Sequence, residues 1–291
     1  MWEAIIILLK NFISKLNSKL SIKSLFKSLR SFPKINIAMI VCIIFSFILI
    51  LSSSSVNEAL AAKKSVIIAH RGYSKAAPEN SASSIEKAIK AKSDYAEIDV
   101  QETNDGVVVL MHDRSIKRTT GVNELVSQLN YDQVSKLDIG SGFSKSFKNE
   151  RVPTLKQILK ESKGKVKLII ELKTYNKDYE KLTEDVVNLI EKNNMVSSCS
   201  IHSINYNSLL LVKKINPKIR TGYIVLRHVN DLPSYKVDFY SIDKKLVNEK
   251  VIHDMHKLKR QVYVWTVDSN SEKNKFINLG ADGIITDNPV R

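Results

Sequence analysis

The chain has little of what would make it a disulfide scaffold, a zinc protein or a nucleic-acid module. Its two cysteines, Cys42 and Cys199, stand far apart, and Cys42 lies in an apolar segment, so no intramolecular bridge is expected and the redox compartment stays open. There is no zinc-finger spacing, no aromatic-and-glycine RNA-binding signature and no basic region followed by heptads, which leaves nucleic acid without a module despite a net charge of +15. A nucleotide-binding glycine loop is missing too. Its nearest approach, GSGFSK at 140–145, lacks the final glycine and follows no candidate strand, which speaks against an open doubly wound sheet. Apolar residues at 43% and charged residues at 26% exclude a disordered chain.

What is present divides at about residue 63. Residues 1–61 carry seven basic and two acidic side chains, which leaves +10 on the rest, so the remainder suits anionic partners such as phosphate esters or anionic lipid. Residues 35–51, INIAMIVCIIFSFILIL, are free of charge and about the shortest length that spans a bilayer as a helix. In the arm 1–34, Lys10, Lys15, Lys19, Lys23, Lys27, Arg30 and Lys34 place the amino terminus in the cytoplasm and the chain beyond residue 51 outside. Leu9, Phe12, Ile13, Leu16 and Leu20 recur at helical spacing opposite lysines four apart, the pattern of a helix lying on the inner leaflet. The linker 52–64 is serine-rich and contains Ala59-Leu60-Ala61, similar to a signal-peptidase site, so an uncleaved membrane anchor and a cleaved, secreted product both remain open.

From Ser65 onward, short β-branched runs alternate with longer amphipathic segments. Strands are expected at 65–69, 95–100, 166–171, 198–203, 219–225, 238–242, 262–266 and 283–286, with helices at 79–91, 154–162, 178–193, 205–215, 247–258 and 270–279. The expectation is an α/β fold, a (β/α)8 TIM-type barrel over residues 65–291, preceded by the transmembrane helix. The run GVVVLMHD at 106–113 breaks the alternation, because the preceding Thr103-Asn104-Asp105-Gly106 holds no crossover helix; it reads as an extra β-hairpin strand. With the turn centred between Asn104 and Asp105, Glu97 stands opposite His112 and Asp99 opposite Leu110, so the two acids share a face with His112.

Chemistry in such a barrel collects at the carboxyl ends of the strands. There the first run ends in His70-Arg71-Gly72, the second carries Glu97 and Asp99, the hairpin strand ends in His112-Asp113, and VKLIIELK carries Glu171 and Lys173. Carboxylates buried together repel unless a cation neutralises them, and oxygen ligands with no cysteine nearby point to Mg2+ or Ca2+. Each residue alone has a plainer reading as a solvated face or a structural strand end; their joint placement is what argues for a site.

The set HRG and PENS, EIDVQETNDGVVVLMHDRSIKRTTG, PTL at 153–155, ELK at 171–173, WTVD at 265–268 and GADGIITDNP at 280–289 resembles the glycerophosphodiester phosphodiesterase family over residues 65–289. The resemblance implies the same barrel, a divalent cation, and hydrolysis of glycerophosphodiesters to sn-glycerol 3-phosphate and an alcohol. It implies His70 and His112 as the acid/base pair, Glu97, Asp99 and Glu171 as metal ligands, and Arg71 and Lys173 as phosphate-contacting cations. Ser81, Lys92-Ser93 and Ile204 depart from the family's usual residues, the last at the alcohol pocket.

On this reading His70 is held rigidly for proton transfer, Gly72 keeps a side chain away from the phosphate, and Pro78 and Glu79 begin the following helix. Trp265 forms an apolar wall for the glycerol backbone; His202 ends the fifth run, and His228, His253 and His256 receive no role. Two rivals stay open: an envelope enzyme cleaving lysophospholipid or a glycerophosphate polymer, and a catalytically silent barrel that binds glycerophosphate. No obligate protein partner is inferred. The charge asymmetry around 35–51 makes one testable statement: protease added to intact spheroplasts should digest the chain beyond residue 63, and complete protection until lysis would reverse the topology.

Overall fold

The computed structural model describes residues 65–175, 179–227 and 235–290. The arm 1–34, the apolar run 35–51 and the linker 52–64 lie outside these residues, as does His228. Among the described residues, no helix is long and apolar enough to cross a membrane.

Nine strands are present among them: β1 (Val66–Ala69), β2 (Tyr95–Glu102), β3 (Val108–Leu110), β4 (Lys167–Leu172), β5 (Cys199–Ser203), β6 (Arg220–Val225), β7 (Phe239–Asp243), β8 (Gln261–Trp265) and β9 (Gly283–Thr286). All but β3 run parallel in the order β1-β9-β8-β7-β6-β5-β4-β2, and a β1–β2 pairing closes the ring. This is the eight-stranded barrel with one added strand that the spacing predicts. The reason for the ninth strand lies in unequal lengths. β1 covers only Tyr95 and Ala96 of β2, so the far half of β2 has a free edge, which β3 takes antiparallel at Val100–Glu102.

Period-two alternation divides the strand residues into two cores. Ile68, Ile169, Phe239, Tyr263 and Ile285 point inward and fill the barrel. Their neighbours Ile67, Ile98, Ile170, Ile201, Tyr240, Val264 and Ile284 point outward into the layer shared with the helices. Those helices are α1 (Ala82–Lys90), α4 (Leu155–Ser162), α5 (Tyr179–Lys192), α6 (Tyr206–Ile215), α7 (Glu249–Lys257) and α8 (Asn270–Asn278). On α5, Leu182, Val186 and Ile190 recur every four residues and are buried, each adding roughly 1.5–3 kcal/mol. Short polar residues start the helices: Thr154 exchanges a reciprocal capping box with Gln157, and Asn205, Asn248 and Ser269 cap α6, α7 and α8.

Two expectations need correction. The helix read as beginning at residue 79 begins at Ala82: Ser81 is its N-cap and accepts the Ser84 N–H, while Asn80 has φ 54° and cannot continue a helix. Pro78 and Glu79 therefore belong to the loop. The hairpin is also shifted by one residue, with Leu110 opposite Val100 and Val108 opposite Glu102, so Met111 rather than Leu110 faces Asp99. That slip alone would turn His112 away. It does not, because the strand stops at Leu110 and the Gln101 amide donates to the carbonyls of Met111 (2.9 Å) and Asp113 (2.7 Å), bending the chain at His112.

Between β3 and α4 the chain builds a small lobe containing α2 (Lys117–Thr120) and α3 (Tyr131–Val134), with its own core of Val109, Met111, Ile116, Val126, Val134, Ile139 and Val152. The sequence reading placed no element there, since its helices are too short to show a period. Asp138 organises the lobe by accepting the N–H groups of Gly140 (2.8 Å), Ser141 (2.8 Å) and Asn149 (2.9 Å).

Inside the barrel, Gly222 of β6 pairs with Phe239 of β7, and a Cβ built there would lie 2.1 Å from the Phe239 ring. Gly222→Ala is expected to cost about 1–3 kcal/mol, read as a lower urea midpoint at an unchanged m-value. An unchanged midpoint would show that the ring has room to move.

Candidate active site

The inward-pointing residues of the middle layer are mostly apolar; two positions further along, nearly every one is polar. His70 follows Ile68, Glu97 and Asp99 follow Tyr95, Glu171 and Lys173 follow Ile169, His202 follows Ser200, and Asp287 follows Ile285. Together with His112 they form the mouth of the barrel. His70, Arg71, Glu97, His112, Glu171, Lys173, His202 and Trp265 line a cavity of about 410 Å³, closed on another side by Ile204, Ile224 and Leu226. Asp99, 1% exposed, is not among the lining residues.

The turn at β1 brings its residues in through backbone geometry. Arg71 and Gly72 both have positive φ, at 54° and 76°, which tips the Arg71 N–H onto Glu97 Oε2 (2.9 Å) and the Gly72 N–H onto the Glu97 carbonyl (3.0 Å). Gly72 is not there to clear space for phosphate, as the sequence suggested. A Cβ at that position would lie 2.2 Å from Ser84 Oγ and 2.7 Å from the Ser84 backbone, so the residue lets α1 approach the turn.

Both histidines carry a carboxylate on Nδ1, which leaves Nε2 for chemistry. His70 Nδ1 is 2.6 Å from Asp287 Oδ1, itself steadied by the Ser74 hydroxyl at 3.0 Å. Burial favours the neutral ring, but the Asp287 hydrogen bond and the charge of Glu97 outweigh it and hold the His70 imidazole above its ordinary value. His112 Nδ1 is 2.7 Å from Asp113 Oδ1, and Tyr175 donates to the His112 carbonyl at 2.9 Å. Here burial prevails: with Lys173 and Arg71 nearby, it outweighs Asp99 and Asp113 and holds His112 below its ordinary value.

The acidic residues are paired unequally. Asp99 receives the Asn80 amide at 2.8 Å and faces Lys173 Nζ at 3.1 Å and Arg71 Nε at 3.4 Å; although burial favours the acid form, these cations hold it well below the usual carboxylate range. Glu171 meets Lys173 Nζ at 2.7 Å, and burial beside Asp99 and Glu97 pushes its carboxyl up to about 7. Glu97, Glu171 and His202 present ligand atoms that all lie within 4.8 Å of one another. The chemistry of this group fits a divalent cation: one buried and one half-buried carboxylate, and an imidazole whose Nδ1 meets Ser241 Oγ at 3.1 Å. His202, read from sequence only as the end of the fifth run, therefore stands among the candidate ligands, and Asp99, outside that group of three, faces Lys173 and Arg71.

Asp287, Asn80 and Gln101 were not singled out by sequence reasoning, and Asp113 was named at its strand end without a role. Asp287 was readable by the strand-end rule already applied to His70; Asn80 stood within the PENS motif but its role was not readable, because it depends on a left-handed turn that meets β2 only in three dimensions. His253 and His256 sit outside the mouth, paired with Asp254 (3.6 Å) and Asp282 (2.8 Å).

Residues 70–291 match the model of the glycerophosphoryl diester phosphodiesterase family. The chain belongs to this family. A glycerophosphodiester phosphodiesterase of Caldanaerobacter subterraneus subsp. tengcongensis is 32% identical over 231 residues, covering 78% of this chain and 95% of that one. One from Bacillus subtilis is 25% identical over 260 residues, covering 82% and 88%. An Oleispira antarctica phosphodiesterase, solved in complex with the product sn-glycerol-3-phosphate, is 26% identical with a TM-score of 0.74, covering 77% of this chain and 94% of its own. The motif set had implied the same family, and the chain is an enzyme of the glycerophosphodiester phosphodiesterase class.

The opposite shifts of the two histidines are measurable. In an NMR titration of metal-free protein, His70 should keep its proton to higher pH than His112, and Asp287→Asn should make His70 lose it at lower pH while His112 moves much less. A His70 titration that ignores the substitution would mean that Asp287 does not hold that proton.

Proposed function

We propose that the barrel hydrolyses glycerophosphodiesters to sn-glycerol 3-phosphate and an alcohol, using one bound divalent cation and the pair His70 and His112 for proton transfer. The observation that carries this reading is the duplication at the mouth: two histidines, each with Nδ1 on a carboxylate at 2.6–2.7 Å, beside a buried acidic group. The cation, Ca2+ or Mg2+, would be held by Glu97 and Glu171 with Asp99 or His202, and when bound it draws negative charge from the phosphoryl oxygens. Arg71 and Lys173 supply fixed positive charge for the substrate phosphate. His112, the ring held low, is unprotonated near neutral pH and takes a proton from the attacking water or glycerol hydroxyl. His70, the ring held high, gives its proton to the departing alkoxide. Activity then rises with pH as His112 loses its proton and falls as His70 loses its own. The Trp265 indole closes the wall, its Nε1 buried and without a hydrogen-bond partner.

One observation favours a lipid substrate as a second reading. Tyr175, Ile204 and Leu226, 40%, 46% and 55% exposed, put apolar surface on the cavity rim, which suits an alcohol bearing an aliphatic chain. The charge around residues 35–51 supports an extracytoplasmic position for the barrel, at the membrane if the anchor is kept.

His70→Ala and His112→Ala should each lower turnover by a factor of about a hundred or more, with KM changed less. A nitrophenyl ester, whose leaving group needs no proton, should restore His70→Ala but not His112→Ala; restoration of His112→Ala instead would exchange the two roles. Exhaustive chelation should abolish activity, and calorimetric titration of Mg2+ or Ca2+ into Asp99→Asn and His202→Ala would show which of the two completes the ligand set. Full activity in chelator, or in Glu171→Gln, would end the metal-dependent reading.

A further inference from the structure

Arg118 is not a strand-end residue and does not line the cavity. It is the second residue of α2, in the lobe, yet its guanidinium makes three hydrogen bonds that all lead to the site. Nε donates to Asp113 Oδ2 at 2.6 Å, Nη1 to Glu79 Oε2 at 2.8 Å and Nη2 to Glu79 Oε1 at 2.6 Å. Each carboxylate has a second client. Asp113 holds His112 Nδ1 at 2.7 Å, and Glu79 accepts from Arg71 Nη1 at 3.0 Å. Glu79 lies in the loop after β1 and Asp113 in the bend after β3, and no backbone ladder joins those two segments in the pairings of the barrel.

We infer that Arg118 is a positioning residue that fixes His112 and Arg71 relative to each other by gripping, with one planar fork, the two carboxylates that orient them. The inference rests on the catalytic reading given for His112. Three directed donors in one plane are available from arginine and not from lysine, whose ammonium is a point charge on a flexible stem. The charges also balance in a useful way. Glu79 is shared by two arginines, so its single negative charge is divided between Arg71 and Arg118. Without Arg118, Asp113 is free to swing from His112, and Glu79 has Arg71 as its remaining partner of this trio.

The test is a double-mutant cycle on the full chain, with kcat and KM measured on a glycerophosphodiester for Arg118→Ala, His112→Ala and the double variant. Arg118→Ala should lower kcat roughly ten- to a hundredfold in the wild-type background, the scale of a misplaced catalytic group. In the His112→Ala background the same change should lower kcat by less than about threefold. Arg118→Lys should recover part of the loss, and Lys136→Ala, which breaks the lobe's surface pair with Asp132, should leave turnover unchanged. Equal factors in both backgrounds would overturn the inference, since a general structural role is indifferent to His112. It would equally be overturned by full turnover in Arg118→Ala, or by a loss that thermal melts account for as unfolded protein while Arg118→Lys works at the wild-type rate. If His112→Ala itself keeps its turnover, the acid/base reading falls and this inference with it; an inactive His112→Ala with additive losses removes this inference alone.

Discussion

Like charge in register across adjacent strands is the constraint on which the rest of this molecule turns. Asp99 of β2 is the direct neighbour of Glu171 on β4, and Glu171 in turn of His202 on β5, while Glu97 lies one inward step below Asp99. Parallel strands place such partners about 5 Å apart, and the barrel wall removes most of the water that would screen them. The repulsion is visible in Glu171, whose carboxyl is pushed up to about 7 by burial beside Asp99 and Glu97. Lys173, on the same inward face as Glu171, and Arg71, tipped in by a left-handed turn, are the described cations that answer it. Asp99 takes most of that compensation and stays ionised, while the ligand atoms of Glu97, Glu171 and His202 converge within 4.8 Å of one another beside it.

His70 and His112 come to this acidic floor from its edge, and each brings its own carboxylate. Asp287 is carried by the segment after β9, next to β1 in the closed ring, so the same closure that pairs Val66–Ala69 with Gly283–Thr286 also sets the dyad with His70. His112 has no such ladder. It stands in a bend outside β3, held by Gln101 through neighbouring carbonyls, by Tyr175 at its own carbonyl, and by Asp113 at its ring. The lobe therefore braces the mouth: its core anchors Met111 and Ile116 on either side of the bend, and Arg118 ties it back to the loop after β1. Ile204, Ile224, Leu226 and Trp265 add an apolar part to the lining of the same cavity.

The eight parallel strands and their helices were legible in the sequence because each strand buries apolar side chains at period two and each helix at three or four, and both patterns survive in the one-dimensional order. The polar residues of the mouth were legible for the same reason: a charged side chain in phase with a buried inward stripe has to emerge where the stripe ends. The lobe was not legible, since α2 and α3 are single turns that complete no period, and neither was the start of α1, which depends on the left-handed Asn80. The apolar run at 35–51 is read from hydropathy alone.

The sequence by itself determined the barrel class, the family, and the inward placement of His70, Glu97, Asp99, Glu171 and Lys173, because alternation along a strand is a local property of the chain. Only the tertiary structure decided which of these side chains partner one another. That Asp99 goes to Asn80, Arg71 and Lys173, that His202 joins Glu97 and Glu171, that Asp287 meets His70, and that Arg118 reaches Glu79 are outcomes of barrel closure and of the way the lobe folds back. Those contacts join residues as far as 217 positions apart, and the register that brings them together is set by packing of the whole ring rather than by any local stretch.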